Sequence, residues 1–450
     1  MRMRIWGIAI LAWSAILQAQ TSSARQLAPR LEPDSVMRGR RHRAAQVFSD
    51  GILLLRARPE LDLAADGFRQ DAFFYYYAGL ANTTGDLLAI DGKTGASWLF
   101  VSPDRPMGRA GLEPEVLPGA DAATRLGVEH VVDGSELEPF LSERTGALLY
   151  YAEDRIAGQE MPAALVSHEA PSAPLWLQII LSRWPRFTAK DAQMRVDSLM
   201  AVQTDREQTA LRSAATATVV ALKAGMRAIR PNVRQRQVEA AVEDACWRAG
   251  AHGSAFWPWA MAGDNAIFPR PFFSLGVYDH LDTTMRAGDL VRLDVGCEWD
   301  HYGGDLGRTV PVSGHYDDAQ RETWTIFVAA YQAGARLLKS GVTVDQVFDA
   351  WRSELLRHRA SARTSLAQNA IDAWSTRERV PFWQVHTTNL RAGFAYSPLR
   401  AGTTINFEPI ASVDGQAFFL EDMYLITPSG SELLTPGVPY SAADIENAMR

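Results

Sequence analysis

Residues 290–299 set Val291, Leu293, Val295 and Cys297 in alternation with Arg292, Asp294, Gly296 and Glu298. This period of two predicts a strand with one buried face. Residues 306–312 form a second, short, β-branched arm, and Gly303 and Gly304 between the arms can serve a turn or bulge. Two longer strand-like runs, 403–412 and 416–427, flank Val413, Asp414 and Gly415, and Asp-Gly is a strong signal for a tight hairpin. Upstream the period changes. Residues 190–224 and 233–249 space their apolar positions as helices stopped by Gly225 and Gly250, and 317–338 predicts a further long helix. Residues 33–185 read as α/β, with a helix end at 44–48 and strands at 51–55, 73–77, 87–90 and 98–101. The aromatic run at 73–77 is read as a strand that packs in the core or at a subunit interface. Helices followed by acid-rich hairpins make the later part α+β, helices packed on an antiparallel sheet.

Those hairpins concentrate acid. Asp294 and Asp305 lie eleven positions apart, and an odd separation lets both face one side of a hairpin closed by an even-length loop. If Asp414 and Gly415 form a two-residue loop, residues whose numbers sum to 829 face each other, which makes Glu408 and Glu421 cross-strand partners. Like charges so placed, with Cβ atoms about 4.5–5.5 Å apart, destabilise a sheet. Two acidic hairpins therefore call for a cation. Hard divalent ions prefer carboxylate oxygen, and paired metals about 3.5–4 Å apart are a known way to activate water. The residues point to a dinuclear metal hydrolase, against the alternative of turn aspartates that merely fall near one another.

Composition bounds this without changing it. The 450 residues, 47% hydrophobic, allow two domains with sizeable cores, and a formal charge of −7 gives no hint of nucleic-acid binding. Residues 1–20 carry Arg2 and Arg4, an apolar run at 5–17 and a polar end, the pattern of a secretory signal peptide. The run is short of the about 20 residues that a spanning helix needs. The expectation is export to the periplasm or outside, without a stable membrane anchor. Cys246 and Cys297 make no disulfide framework, and Cys297 reads as a small buried hydrophobe.

Several motifs resemble one family. FRQDAFFYYYAGL at 68–80, GDLVRLDVGCEWDHYGGDLGRTVPVSG at 288–314, NFEPI at 406–410 and LEDMYLIT at 420–427 are similar to segments of the pita-bread metallopeptidases: Xaa-Pro aminopeptidases, prolidases and methionine aminopeptidases. The resemblance covers nearly the whole chain after the leader. It implies a pita-bread domain at about 204–439, preceded by an α/β creatinase/prolidase-type domain at 33–185 and a helical linker at 186–203. It further implies that Asp294 binds one metal, that Asp305 and Glu421 bridge two, and that Glu408 ligates while serving the nucleophilic water as acid or base. The cofactor would be two divalent ions, commonly manganese or cobalt. The substrate would be a peptide with proline at its second position. Relatives are often dimers or tetramers, so a homodimer is the prior for assembly.

The histidine set departs from the family pattern. Where the family reads HxxGLDVH, this chain has RVPFWQVH at 379–386. Counting back 22 positions from Glu408 puts His386 at the substrate-side histidine and Arg379 where a metal-ligating histidine should stand. A shortened loop would instead move His386 into the ligand position. Upstream, Val277 takes the place of a substrate-contacting histidine before Tyr278, and His280 is the candidate substitute. If Arg379 entered the site, its guanidinium could replace a metal among four carboxylates, leaving one ion or none. The leading expectation is an exported metallo-exopeptidase of the Xaa-Pro aminopeptidase or prolidase type, with Glu408, His386 and His280 as its catalytic residues. A non-catalytic relative that binds peptides in the same groove is the alternative. Metal-free hydrolysis of a small guanidino or amide substrate, as in the family's creatinases, is weaker because those proteins replace the carboxylates kept here.

Overall fold

The computed structural model describes residues 31–59, 69–102, 116–154, 173–267, 270, 282–380 and 382–450, so the expected leader at 1–20 lies outside them. The chain divides into two compact units, Met1–Met200 and Ala201–Arg450. Among the described residues no helix is long and apolar enough to cross a membrane.

The first unit is built on a six-stranded sheet of order β4-β3-β2-β1-β5-β6. Its strands are β1 Gly51–Arg56, β2 Leu87–Asp91, β3 Ser97–Val101, β4 His130–Asp133, β5 Leu148–Ala152 and β6 Thr188–Asp191. β1 pairs antiparallel with β2 and parallel with β5, so the sheet is mixed. Ile52, Leu54, Ala89, Phe100, Leu149 and Tyr151 share one core. The expected strands at 51–55, 87–90 and 98–101 are present, and the helix end at 44–48 closes α1, Asp34–Val47. Residues 73–77 are not a strand but lie in helix α2, Ala72–Ala78. The Asp71 side chain caps it by accepting from the Phe74 N–H at 2.9 Å, and Gly79 ends it at φ 70°. All seven residues are buried, and a helix enclosed on every side needs no polar face. The two caps and the surrounding core override the β preference of aromatic residues. The 186–203 stretch supplies β6 and a helix, Gln193–Met200.

In the second unit an eight-stranded antiparallel sheet has the order β13-β12-β14-β15-β11-β8-β7, with β16 also on β15. The strands are β7 Trp259–Ala262, β8 Leu290–Val295, β11 Leu306–Pro311, β12 Phe382–Thr388, β13 Ala392–Phe394, β14 Thr404–Val413, β15 Gln416–Ile426 and β16 Ser431–Leu433. A separate pair, β9 Glu298–Trp299 and β10 Tyr302–Gly303, forms a small hairpin between β8 and β11. Helices α3 Asp205–Ala228, α4 Gln235–Arg248 and α5 Asp318–Ala335 contribute Leu222, Val242 and Phe327 to one core with Leu293 and Phe418 of the sheet.

Five sequence expectations change here. The helix expected at 190–224 is broken before α3, because Thr204 and Glu207 form a reciprocal capping box that starts a new one. α3 then runs through Gly225, where an added Cβ would lie 2.9 Å from Val242 and 3.0 Å from Leu293, so the glycine is there for close packing rather than as a stop. The turn between the acidic arms is at Asp300 and His301, both at positive φ. Gly304 instead lets the backbone approach α3, since a Cβ there would fall 2.1 Å from Thr218 Oγ1. β8 is buried along its whole length, Arg292 and Asp294 included, so it has no solvent face. Finally, Cys297 is paired with Cys246 of α4 in a disulfide, a link across 51 residues that no local spacing announces.

Candidate metal centre

The tight turn at Asp414 and Gly415, at φ 48° and 74°, closes β14 against β15 with Val413 opposite Gln416. The flanking pairs of Ile410 with Phe419 and Phe407 with Asp422 keep Glu408 opposite Glu421, as the arithmetic requires. Pro409 has no N–H to give the ladder beside them. In the first hairpin Gly307 pairs with both Asp294 of β8 and Glu421 of β15, and Asp305 lies two positions before it on the same face. Opposite Asn406, β12 places His386. Four neighbouring strands, β12, β14, β15 and β8, and the residue just before β11 thus bring together His386, Glu408, Glu421, Asp294 and Asp305. All five are buried.

His386 Nε2 lies 3.2 Å from Glu421 Oε1, 3.5 Å from Glu408 Oε2 and 3.6 Å from Asp305 Oδ2. At the other end, Arg292 Nη2 lies 2.6 Å from Asp294 Oδ2 and 3.3 Å from Glu408 Oε1. Gln384, opposite Glu408 on β12, donates to Glu408 Oε2. Asn406 Nδ2 donates to Glu421 Oε1 at 2.8 Å and to the Asp305 carbonyl at 2.9 Å. Two carboxylate oxygens, Asp294 Oδ1 and Glu421 Oε2, are buried without a hydrogen-bond partner. Orphaned buried oxygens of this kind carry a desolvation cost unless a ligand satisfies them.

The electrostatics show the same shortage of positive charge. Burial pushes the Asp294 carboxyl up to about 7, with Arg292 pulling it down and Glu408 adding to the rise. Asp305 and Glu421 are held well above the usual carboxylate range, by burial first and then by neighbouring carboxylates. For His386 burial opposes the charged ring, and the bond to Glu408 with the charge of Asp305 outweighs it, holding the imidazolium up to about 9. Two sets of donors converge within 4.8 Å: Asp305, His386 and Glu421, and Asp294, Glu408 and Glu421. Oxygen and imidazole donors suit manganese, iron, cobalt or zinc, and the orphaned oxygens supply open ligand positions, so the residues fit divalent ions.

The sequence had placed Arg379 in this cluster. It is instead exposed, on a single 3₁₀ turn before β12, and His386 stands among the carboxylates. The guanidinium that does enter is that of Arg292, which sequence reading had left as an ordinary polar position of the strand. Its spacing of two from Asp294 was the available signal, since residues i and i+2 share a face. Gln384 and Asn406 were also missed. Val277, Tyr278 and His280 lie outside the described residues.

Residues 209–428 match the model of metallopeptidase family M24. A Xaa-Pro aminopeptidase of Escherichia coli is 25% identical over 448 residues, spanning 90% of this chain and 95% of that protein. Among solved structures, proline aminopeptidase P II from Yersinia pestis is similar with a TM-score of 0.70 at 23% identity, covering 93% of this chain and 99% of that one. Aminopeptidase P from E. coli with the inhibitor Pro-Leu gives 0.67 at 24% identity, covering 92% and 98%. The five clustered donors all fall within the matched residues, so the part of the chain that carries them is a metallopeptidase family M24 domain of pita-bread fold.

Proposed function

We propose that this protein is a metal-dependent exopeptidase of the Xaa-Pro aminopeptidase and prolidase type, which releases an amino-terminal residue preceding proline. The observation that carries the reading is a buried cluster of four carboxylates and one imidazole from adjacent strands, with Asp294 Oδ1 and Glu421 Oε2 left unpartnered. In this reading Asp305, His386 and Glu421 hold one divalent ion, manganese by family habit, and Asp294, Glu408 and Glu421 form a second position. Such an ion lowers the pKa of a water enough to make it a nucleophile near neutral pH.

The remaining work falls to side chains. Cleaving an Xaa-Pro bond needs a proton removed from water and one given to the prolyl nitrogen as it leaves. Glu408 Oε2 is the group for both transfers, and Gln384 fixes its position. His386, held by the carboxylates around it, has its ring oriented before substrate arrives. His280 is kept as a substrate-side candidate. Export behind residues 1–20 belongs to the same reading and is supported by the disulfide, which suits an oxidising compartment. A homodimer is its expected assembly.

The non-catalytic alternative drew on Arg379 in the ligand position and on Val277 in place of a histidine; the exposure of Arg379 removes the first argument, and Val277 lies outside the described residues. The test is hydrolysis of Xaa-Pro dipeptides and tripeptides by the full chain with added manganese, beside Glu408→Gln. The expected result is turnover of Xaa-Pro peptides only, lowered about 10²–10⁴-fold in kcat by the substitution. Equal turnover of Xaa-Ala peptides, or unchanged kcat in the variant, would overturn the proposal.

A further inference from the structure

We propose that Arg292 is a specificity-determining residue that reads the side chain of the residue before proline, so that peptides beginning with glutamate or aspartate are the favoured substrates and those beginning with lysine or arginine the poorest. The proposal rests on the exopeptidase reading above and names the substrate class of that same site.

The guanidinium is only partly used by the protein. Nη2 donates to Asp294 Oδ2 and Glu408 Oε1. Among the described residues Nε has no partner and Nη1 makes no hydrogen bond, and of the two only Nε is enclosed. The residue is 4% exposed, with its guanidinium 4.5 Å from the centre of the Phe419 ring and 5.6 Å from that of Trp259. Arginine keeps its charge in such a place, and a buried guanidinium with open N–H groups is short of an acceptor. Trp259 stands opposite Asp294 across β7 and β8 and is only half-buried, so this flank of the cluster is not sealed.

The two oxygens of Glu408 decide which part of a peptide comes to that flank. Oε2, held by Gln384 and 3.5 Å from His386 Nε2, is the oxygen that passes a proton to the prolyl nitrogen in the reading above. Oε1, the other oxygen, is the one that Arg292 touches. Proline therefore lies toward His386, and the amino-terminal residue lies toward Arg292, Trp259 and Phe419. The methylenes of a glutamate or aspartate side chain suit the two rings, and its carboxylate can accept from Nη1 in a charge-assisted bond. Charge balance agrees. Two divalent ions would offset Asp294, Asp305, Glu408 and Glu421 and leave the guanidinium as surplus positive charge. A substrate carboxylate relieves that surplus, and a lysine ammonium adds to it.

The test is steady-state hydrolysis of the tripeptide amides Glu-Pro-Ala, Gln-Pro-Ala, Ala-Pro-Ala and Lys-Pro-Ala by the manganese-loaded full chain, for the wild type, Arg292→Met, Arg292→Gln and Arg292→Lys. The amide removes the terminal carboxylate, which leaves the glutamate side chain as the acid under test. Calorimetric binding of the released amino acids, glutamate and glutamine, gives a readout that needs no turnover, and circular dichroism with a count of bound manganese identifies any variant that has lost its fold or its metal. For the wild type kcat/KM should be at least about tenfold higher for the Glu peptide than for the Gln peptide, through KM, with the Lys peptide lowest and glutamate bound more tightly than glutamine by a similar factor. Both ratios should fall to within about threefold of one in Arg292→Met and Arg292→Gln, and Arg292→Lys should lower them by about threefold or more, because a point charge lacks the fork that reaches Asp294 and substrate together. Where an uncharged variant is inactive, its binding ratio decides; where neither uncharged variant keeps its fold and metal, the drop in Arg292→Lys decides. Equal kcat/KM for the Glu and Gln peptides in the wild type would overturn the proposal. So would a glutamate preference that survives unchanged in the variants, since another group would then read the side chain. Absence of turnover of every peptide by the wild type would instead sink the exopeptidase reading, and this proposal with it.

Discussion

The two faces of the second unit's sheet each bury an arginine beside carboxylate, and they treat it in opposite ways. Arg308 pairs with Leu293, the neighbour of Asp294, so it points away from the metal centre. Its Nε donates to the Pro439 carbonyl, Nη1 to the carbonyls of Gly307 and Glu421, and Nη2 to both oxygens of Asp422 at 3.0 and 3.2 Å. Asp422 is completed by Thr435 Oγ1 and the Tyr440 hydroxyl. Every donor of that guanidinium is used. Arg292, on the other face, reaches two carboxylates through one nitrogen, and its Nε has no partner. A buried charge whose bonds are complete holds a fold together, while a cluster that leaves donors and acceptors open is arranged for something that arrives later.

The comparison can be broken most directly at Asp422. Asp422→Ala leaves the Arg308 guanidinium buried and uncompensated, and should cost about 3–5 kcal/mol in urea unfolding of the second unit. A loss below about 1 kcal/mol would mean that the completed face carries no special share of stability. Next in size, manganese at about 100 times its dissociation constant should raise stability by about 2.7 kcal/mol, measured as a shift of the unfolding midpoint. Asp305→Asn should abolish that gain and change the metal-free protein by no more than about 1 kcal/mol, because it also removes one of four crowded negative charges. A metal-free loss as large as that of Asp422→Ala would erase the contrast between the faces. The smallest expected effect belongs to Arg379→Ala, within about 0.5 kcal/mol in stability and silent in manganese affinity. A change in affinity there would return Arg379 to the site.

Legibility followed the range of the interactions. The pairing of Glu408 with Glu421 could be read from Asp414-Gly415 because a two-residue turn sets register by geometry alone, and every later pair follows by counting. Helix α2 was missed although Asp71 and Gly79 frame it as caps, because the aromatic composition between them was weighed as strand. Arg379 was misplaced by counting back from Glu408 along the chain. What matters is that β12 meets β14 with His386 opposite Asn406, which leaves Arg379 before the strand begins.

From its sequence alone this protein determined the α/β first part, the acidic hairpins, their register and the family they belong to, since each rests on neighbours a few residues apart or on a motif of contiguous residues. Tertiary structure alone decided that His386 enters the carboxylate cluster, that Cys246 meets Cys297, and that Arg292 lies against Glu408, 116 positions away. Those contacts form when a whole sheet closes on itself, and the balance of buried charge that results belongs to the assembled strands rather than to any one of them.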